Sequence, residues 1–187
     1  MAFLIEQHSK EQSLHYEYLL QAISKEDNNA LNALLNKELS YDCVDSEGNS
    51  LLMQAARMGN NEACCMLLTK GGDLEKVSYD GYTALFYATI YHHLDICKQL
   101  ILAGANVNMQ NSDGITALMY AMAVNNVDIV KLLLSNGADA NIVDNNMQWP
   151  SDFLMGAMTS KSHQCKELVK KIETKIKYFT LIFKKFQ

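Results

Sequence analysis

No apolar run in this 187-residue chain approaches the ~20 residues a bilayer-spanning helix needs. The N-terminus, MAFLIEQHSKEQ, holds a short apolar patch and then turns polar, which is too short for the h-region of a secretory signal. These absences predict a cytoplasmic protein without a transmembrane segment. No C-x-x-C pair and no matching histidine pair accompanies the five cysteines, Cys43, Cys64, Cys65, Cys97 and Cys165. A metal centre and a disulfide framework are therefore not expected, and a reducing compartment suits free thiols. Apart from Gly71-Gly72 the glycines occur one at a time, so no loop is built to cradle a phosphate. Positive charge is scarce over most of the chain. Residues 166–187 hold seven lysines and two glutamates while the whole chain is −5, so the part before them is strongly acidic. An acidic body argues against nucleic acid as a partner.

What is present in quantity is repetition. Hydrophobic residues make up 49% and charged residues 20%, a balance that folds. The stretch DGYTALFYATIYHHLDICKQLILAGANVN, from Asp80 to Asn108, returns 33 residues later as DGITALMYAMAVNNVDIVKLLLSNGADAN. Gly48, Gly81 and Gly114 keep that step, as do Gly71, Gly104 and Gly137. So do Ala22, Ala55, Ala88 and Ala121, and the leucines at 34, 67, 100 and 133. Each unit reads as a turn at Glu47-Gly48, Asp80-Gly81 or Asp113-Gly114, followed by a hydroxyl able to cap a helix, Ser50, Thr83 or Thr116. A short helix comes next, with apolar residues at spacings of 3 and 4. Polar pairs at Asn60-Asn61, His92-His93 and Asn125-Asn126 separate it from a second helix that glycine stops. Asp80 and Asp113 are expected to organise the turns. One such unit cannot bury its apolar face alone, whereas stacked units wall each other in.

At DGYTALFYA, DGITALMYA, LILAGANVN and LLLSNGADAN the chain resembles the ankyrin repeat family. The resemblance spans about residues 16–177 in roughly five units. It implies an all-α solenoid of stacked helix-turn-helix units with short hairpin-like loops. Residues 1–15 would be an N-terminal extension and 16–47 a capping repeat. Three central repeats would fill 48–146, with a degenerate capping repeat at 147–177 and a basic amphipathic extension at 178–187. In the last unit Met147 replaces the turn glycine and Trp149 the threonine, while Pro150 suits the first position of a helix. Met53, Phe86 and Met119 stand where the family carries histidine, which predicts apolar packing in place of a hydrogen bond.

No constellation off the repeat grid suggests catalysis. His92 and His93 are adjacent, about 100° apart on a helix, and make a poor metal clamp. Cys64 and Cys97 share a core column with Leu31 and Val130. No catalytic residue, cofactor or metal is expected, and the chain reads as a non-enzyme. Similarity to the family places recognition at the hairpin tips and the exposed ends of the first helices, lining a concave groove. Those columns hold Glu47 and Asn49; Tyr79, Asp80 and Tyr82; Ser112, Asp113 and Ile115; and Gln148. The helix ends add Arg57, Met58, Ile90, Tyr91 and Val124, of which Met58, Tyr91 and Val124 form an apolar line. Tyrosines are frequent interface anchors, and the acidic tips favour a partner with a basic rim. The expectation is a monomeric scaffold or adaptor holding another protein in this groove. The alternative rests on fifteen lysines against one arginine, a bias of AT-rich genomes in which ankyrin-like proteins are frequent among host-associated bacteria and parasites. The chain would then be a secreted effector, active in the host cytoplasm, with its C-terminal helix targeting a membrane.

That helix is predicted from about Gln164 onward. Leu168, Val169, Ile172, Ile176, Phe179, Phe183 and Phe186 fall in one sector about 100° wide, with lysines opposite. Its first half should pack on Leu133. Its second half should fold back near Trp149 and Phe153 as a cap, or else lie on an anionic membrane surface.

Overall fold

A computed structural model describes residues 14–36, 43–153, 163–168 and 170–171. The chain divides into two compact units, Met1–Asn106 and Val107–Gln187. Among its described residues the first unit holds six helices: α1 (residues 14–24), α2 (Asn28–Leu35), α3 (Leu51–Met58), α4 (Asn61–Thr69), α5 (Ala84–Ile90) and α6 (Leu94–Leu102). They come in pairs, each pair separated by a short turn. α3 packs on both α4 and α5, α5 packs on α6, and α4 touches α2 on one side and α6 on the other. Residues 14 and 15, expected in an extension, already belong to the first helix.

The columns read from sequence become the layers of the core except at Leu34, which is half-buried while Leu31 and Leu35 of the same helix are buried. Ala55 and Ala88 are fully buried, which lets α3 and α5 approach closely, and Leu67, Leu100, Cys64 and Cys97 fill the space beside them. α3 and α5 each open on a hydroxyl cap. The Ser50 oxygen accepts the Met53 N–H and the Thr83 oxygen accepts the Phe86 N–H, both at 3.3 Å. The hydrogen bond expected to vanish at the family's histidine position is kept in part. The Met53 sulfur accepts the Ser50 N–H at 3.4 Å and closes a capping box, so within this unit Phe86 alone leaves that place purely apolar.

The turn between α3 and α4 lies one residue before the polar pair Asn60-Asn61, at the place the 33-residue step itself requires. It is Gly59-Asn60, not Asn60-Asn61, that aligns with His92-His93. Gly59 takes φ 79° and ends α3, and Asn60 caps α4 through the Ala63 N–H at 2.9 Å. The same corner holds Glu26 at φ 54° and His92 at φ 63°. Each corner is thus one left-handed residue followed by the N-cap residue, which bonds through its side chain at Asp27 and Asn60 but not at His93.

The second unit contains α7 (Ala117–Ala123) and α8 (Val127–Ser135), a 3-10 turn at Pro150–Phe153 and helical residues 163–168 and 170–171. α7 packs on α8 and on the 3-10 turn. Ala121, Leu118, Val130 and Leu133 are buried, and the Met119 sulfur repeats the sulfur cap on the Thr116 N–H at 3.4 Å. Pro150 opens a four-residue 3-10 turn, and Asp152 holds the Trp149 N–H at 2.8 Å where a threonine cap would stand. The helix expected from Gln164 begins by His163, with Cys165 buried and Leu168 half-buried. Ile172, Ile176, Phe179, Phe183, Phe186 and the extension 178–187 lie outside the described residues, as do residues 1–13.

Candidate partner-binding face

The hairpin tips of the first unit are built on a position that the sequence columns do not single out. Three residues before the turn glycines Gly48 and Gly81 stand Asp45 and Ser78. Asp45 accepts the backbone N–H groups of Glu47 and Asn49 at 2.8 Å each, and Gln54 donates to it at 2.6 Å. Burial alone would raise its pKa. The Asn49 side chain, the Asn49 and Glu47 backbone N–H groups and Gln54 together outweigh burial and hold it below the usual value. Ser78 serves the next tip in the same way, accepting the Tyr82 N–H at 3.1 Å. Asp80, expected to organise that turn, is instead exposed. The two tips are tied by a bond from the Tyr79 N–H to the Glu47 carbonyl at 3.0 Å.

Asn49 leaves the set of recognition residues. It is 1% exposed, and its polar atoms are used internally. The Tyr16 hydroxyl donates to its carbonyl at 3.0 Å, the Tyr87 hydroxyl donates to its side-chain oxygen at 2.7 Å, and its amide reaches Asp45 and Glu47. A buried amide with this many partners organises the tip from beneath.

Glu47, Asp80, Arg57, Met58, Tyr79 and Tyr91 are exposed, and Tyr82 and Ile90 are half-buried. Tyr79 is 73% exposed, with the edge of its ring laid on Gly48, where an added Cβ would meet it at 2.8 Å. The other tyrosines of this face fall in two aromatic clusters. Tyr82 stands 4.9 Å from Phe86 and 5.6 Å from Tyr87, centroid to centroid. Just past the end of α5, Tyr91 stacks on His93 at 6.5 Å with 15° between the rings, and the Arg57 guanidinium lies over Tyr91 at 5.8 Å. His93 completes the cluster, with Nε2 at 3.3 Å from the Arg57 carbonyl. Tyr87 is absent from the residues that the sequence puts forward, although tyrosine recurring at 87 and 120 in one column is a visible signal. Burial pushes its phenol up, an effect that Ser78 and Arg57 oppose and Glu47 and Asp45 reinforce.

In the second unit Ser112, Asp113, Val124 and Gln148 are exposed and Ile115 is half-buried. Val124, the third residue of the expected apolar line, belongs to this unit and not to the one that holds Met58 and Tyr91. The tips follow the same plan: Asn111 accepts the N–H groups of Asp113 and Ile115, and Asp144 those of Asn146 and Gln148. The Asn145 N–H bonds the Asp113 carbonyl at 3.0 Å. Asp113, like Asp80, is not the acceptor that shapes its turn.

Reactive chemistry is sparse among the described residues. No three His, Cys, Asp or Glu residues come together as a metal site there. The Cys64 and Cys97 thiols are pushed by burial to about 12 and about 11, which leaves them protonated and unreactive at neutral pH.

A family model for ankyrin repeats (3 copies) matches residues 19–111, 71–144 and 91–178. The chain belongs to the ankyrin-repeat family. Its fold is accordingly the all-α repeat solenoid of that family, and ankyrin repeats are in general protein–protein interaction modules that are typically non-catalytic. No curated protein matches the chain. Among the described residues no ankyrin helix is long and apolar enough to cross a membrane.

Proposed function

We propose that this ankyrin-repeat chain is a non-catalytic scaffold or adaptor that holds one partner protein against the tyrosine face of its first unit. The observation that carries this reading is the two aromatic clusters, Tyr82 with Tyr87 and Tyr91 with Arg57, beside the exposed Tyr79. Packing of the repeat does not require an aromatic at 79 or 91, since both rings are largely outside the core. Rigid aromatic rings that are half-exposed bury much area on contact at little entropic cost. Cysteines outside any disulfide, three of the five buried, fit work in a reducing cytoplasm.

The test is capture of a partner by the full chain, compared with a Tyr79→Ala, Tyr82→Ala, Tyr91→Ala variant. Central tyrosines cost ~2 kcal/mol or more on truncation, so capture should fall at least about thirtyfold. Tyr82 packs on Phe86, so melting must be followed alongside. Capture that survives in a well-folded triple variant overturns the assignment of the face.

A further inference from the structure

Charge is not shared evenly between the two aromatic clusters. At the helix end Arg57, the only arginine of the chain, lies over Tyr91 at 5.8 Å. At the tip end stand carboxylates. Glu47 and Asp80 are exposed on adjoining tips, tied together through the Tyr79 N–H and the Glu47 carbonyl. Asp45 sits beneath them as a hydrogen-bonded carboxylate. Among the described residues the ion pairs join lysines to Asp95 and Asp128, and neither Glu47 nor Asp80 is in one. Tyr87 is joined to the tip end, since its hydroxyl donates to the Asn49 side-chain oxygen at 2.7 Å and the Asn49 amide reaches Glu47 at 3.1 Å. The Tyr82 and Tyr87 rings, 5.6 Å apart and tilted by 59°, therefore share their end of the face with negative charge.

Two physical facts select what fits there. The face of an aromatic ring attracts a cation, as Arg57 on Tyr91 displays within this molecule. Carboxylates at the rim draw a cation in and orient it. The same charges repel an acidic segment from the tips. Arg57 disfavours a second cation at the Tyr91 end, which sets the direction in which a chain lies.

Resting on the reading of this face as partner-binding, we propose that its tip end takes a lysine or arginine side chain from an extended basic segment of the partner. The cation sits on the Tyr82 and Tyr87 rings, and Glu47 and Asp80 meet its charge. Glu47 also holds Asn49 at 3.1 Å, which fixes its carboxylate in position.

Selection of short random peptides displayed against the full chain tests this. Selected peptides should be enriched in lysine and arginine, and their binding should weaken as sodium chloride is raised. The variant Glu47→Gln, Asp80→Asn keeps shape and hydrogen-bonding capacity at exposed positions. It should bind those peptides about tenfold more weakly and lose most of the salt dependence. Tyr82→Leu keeps apolar bulk against Phe86 but has no ring face, and should weaken basic peptides while melting stays unchanged. Basic peptides that bind the double variant as well as the native chain overturn the proposal. Acidic or uncharged peptides that depend on Tyr79 and Tyr91 also overturn it, and leave the face as a partner site of another chemistry. Selection of no peptide sensitive to any of these tyrosines overturns both readings.

Discussion

Met147 shows at a single residue what the repeat demands of its turns. Gly48, Gly81 and Gly114 take φ of 79–80° in that column, and Met147 is held at 61° in the same place. The left-handed region costs an ordinary L-residue ~1–2 kcal/mol, and glycine returns ~0.5–1 kcal/mol of this in the unfolded chain. The side chain is 74% exposed, so little packing is lost on its removal. Met147→Gly should therefore stabilise the protein by about 0.5–1 kcal/mol, raising Tm by a few degrees in a thermal melt. Asp45 supplies a pH dependence. Its folded pKa lies below the ordinary aspartate value of 3.8, so its contribution is complete above that value and fades as pH falls through and below it. In Asp45→Asn the Tm deficit against the native chain should be largest at neutral pH and shrink steadily in acid. A constant deficit would show that the charge plays no part. The turn glycines are legible in sequence because only their φ explains them. The column of Asp45, Ser78, Asn111 and Asp144 is not, because three residue types serve equally well as acceptors of the backbone N–H groups at the tip.

At the scale of the element, helix positions are readable to the degree that caps obey simple chemistry. Ser50, Thr83 and Thr116 each accept the N–H three residues on, as their hydroxyls allow. Sulfur as a cap acceptor at Met53 and Met119 is not readable, since methionine in a helix is ordinarily an apolar filler. The slip of one residue at Gly59-Asn60 has a different cause. Asn60 and Asn61 look alike as a polar pair, although the 33-residue step from His92-His93 already points to Gly59-Asn60. Asn49 is misplaced from sequence because a polar residue beside a turn reads as exposed until Tyr16 and Tyr87 are seen to close over it. The alanine column tests the packing of α3 on α5. Ala88 is fully buried in α5, where a larger side chain has no room. Ala88→Leu should cost ~1–3 kcal/mol through overpacking. The urea midpoint should fall with the slope unchanged, and a midpoint within error of the native one would show that the layer is loose.

The whole molecule is uneven in charge from one region to another, acidic until the lysines of residues 166–187. The stripe that starts in the described helical residues 163–168 continues in the sequence as Ile172, Ile176, Phe179, Phe183 and Phe186 at helical spacing. Cys165 is buried and Leu168 half-buried, so this face already points into the second unit where it begins. A repeat array needs its last layer sealed, because an uncovered unit leaves a leucine face in water. We propose that the later residues of the stripe provide that cover, with the lysines turned outward. Deleting residues 178–187 should then lower Tm in buffer alone. The basic face and the phenylalanines also suit an anionic bilayer surface. The two roles separate cleanly by adding vesicles of phosphatidylserine. If the shortened chain melts like the native one but no longer sediments with those vesicles, the segment is a membrane anchor and the cover is made by residues before it.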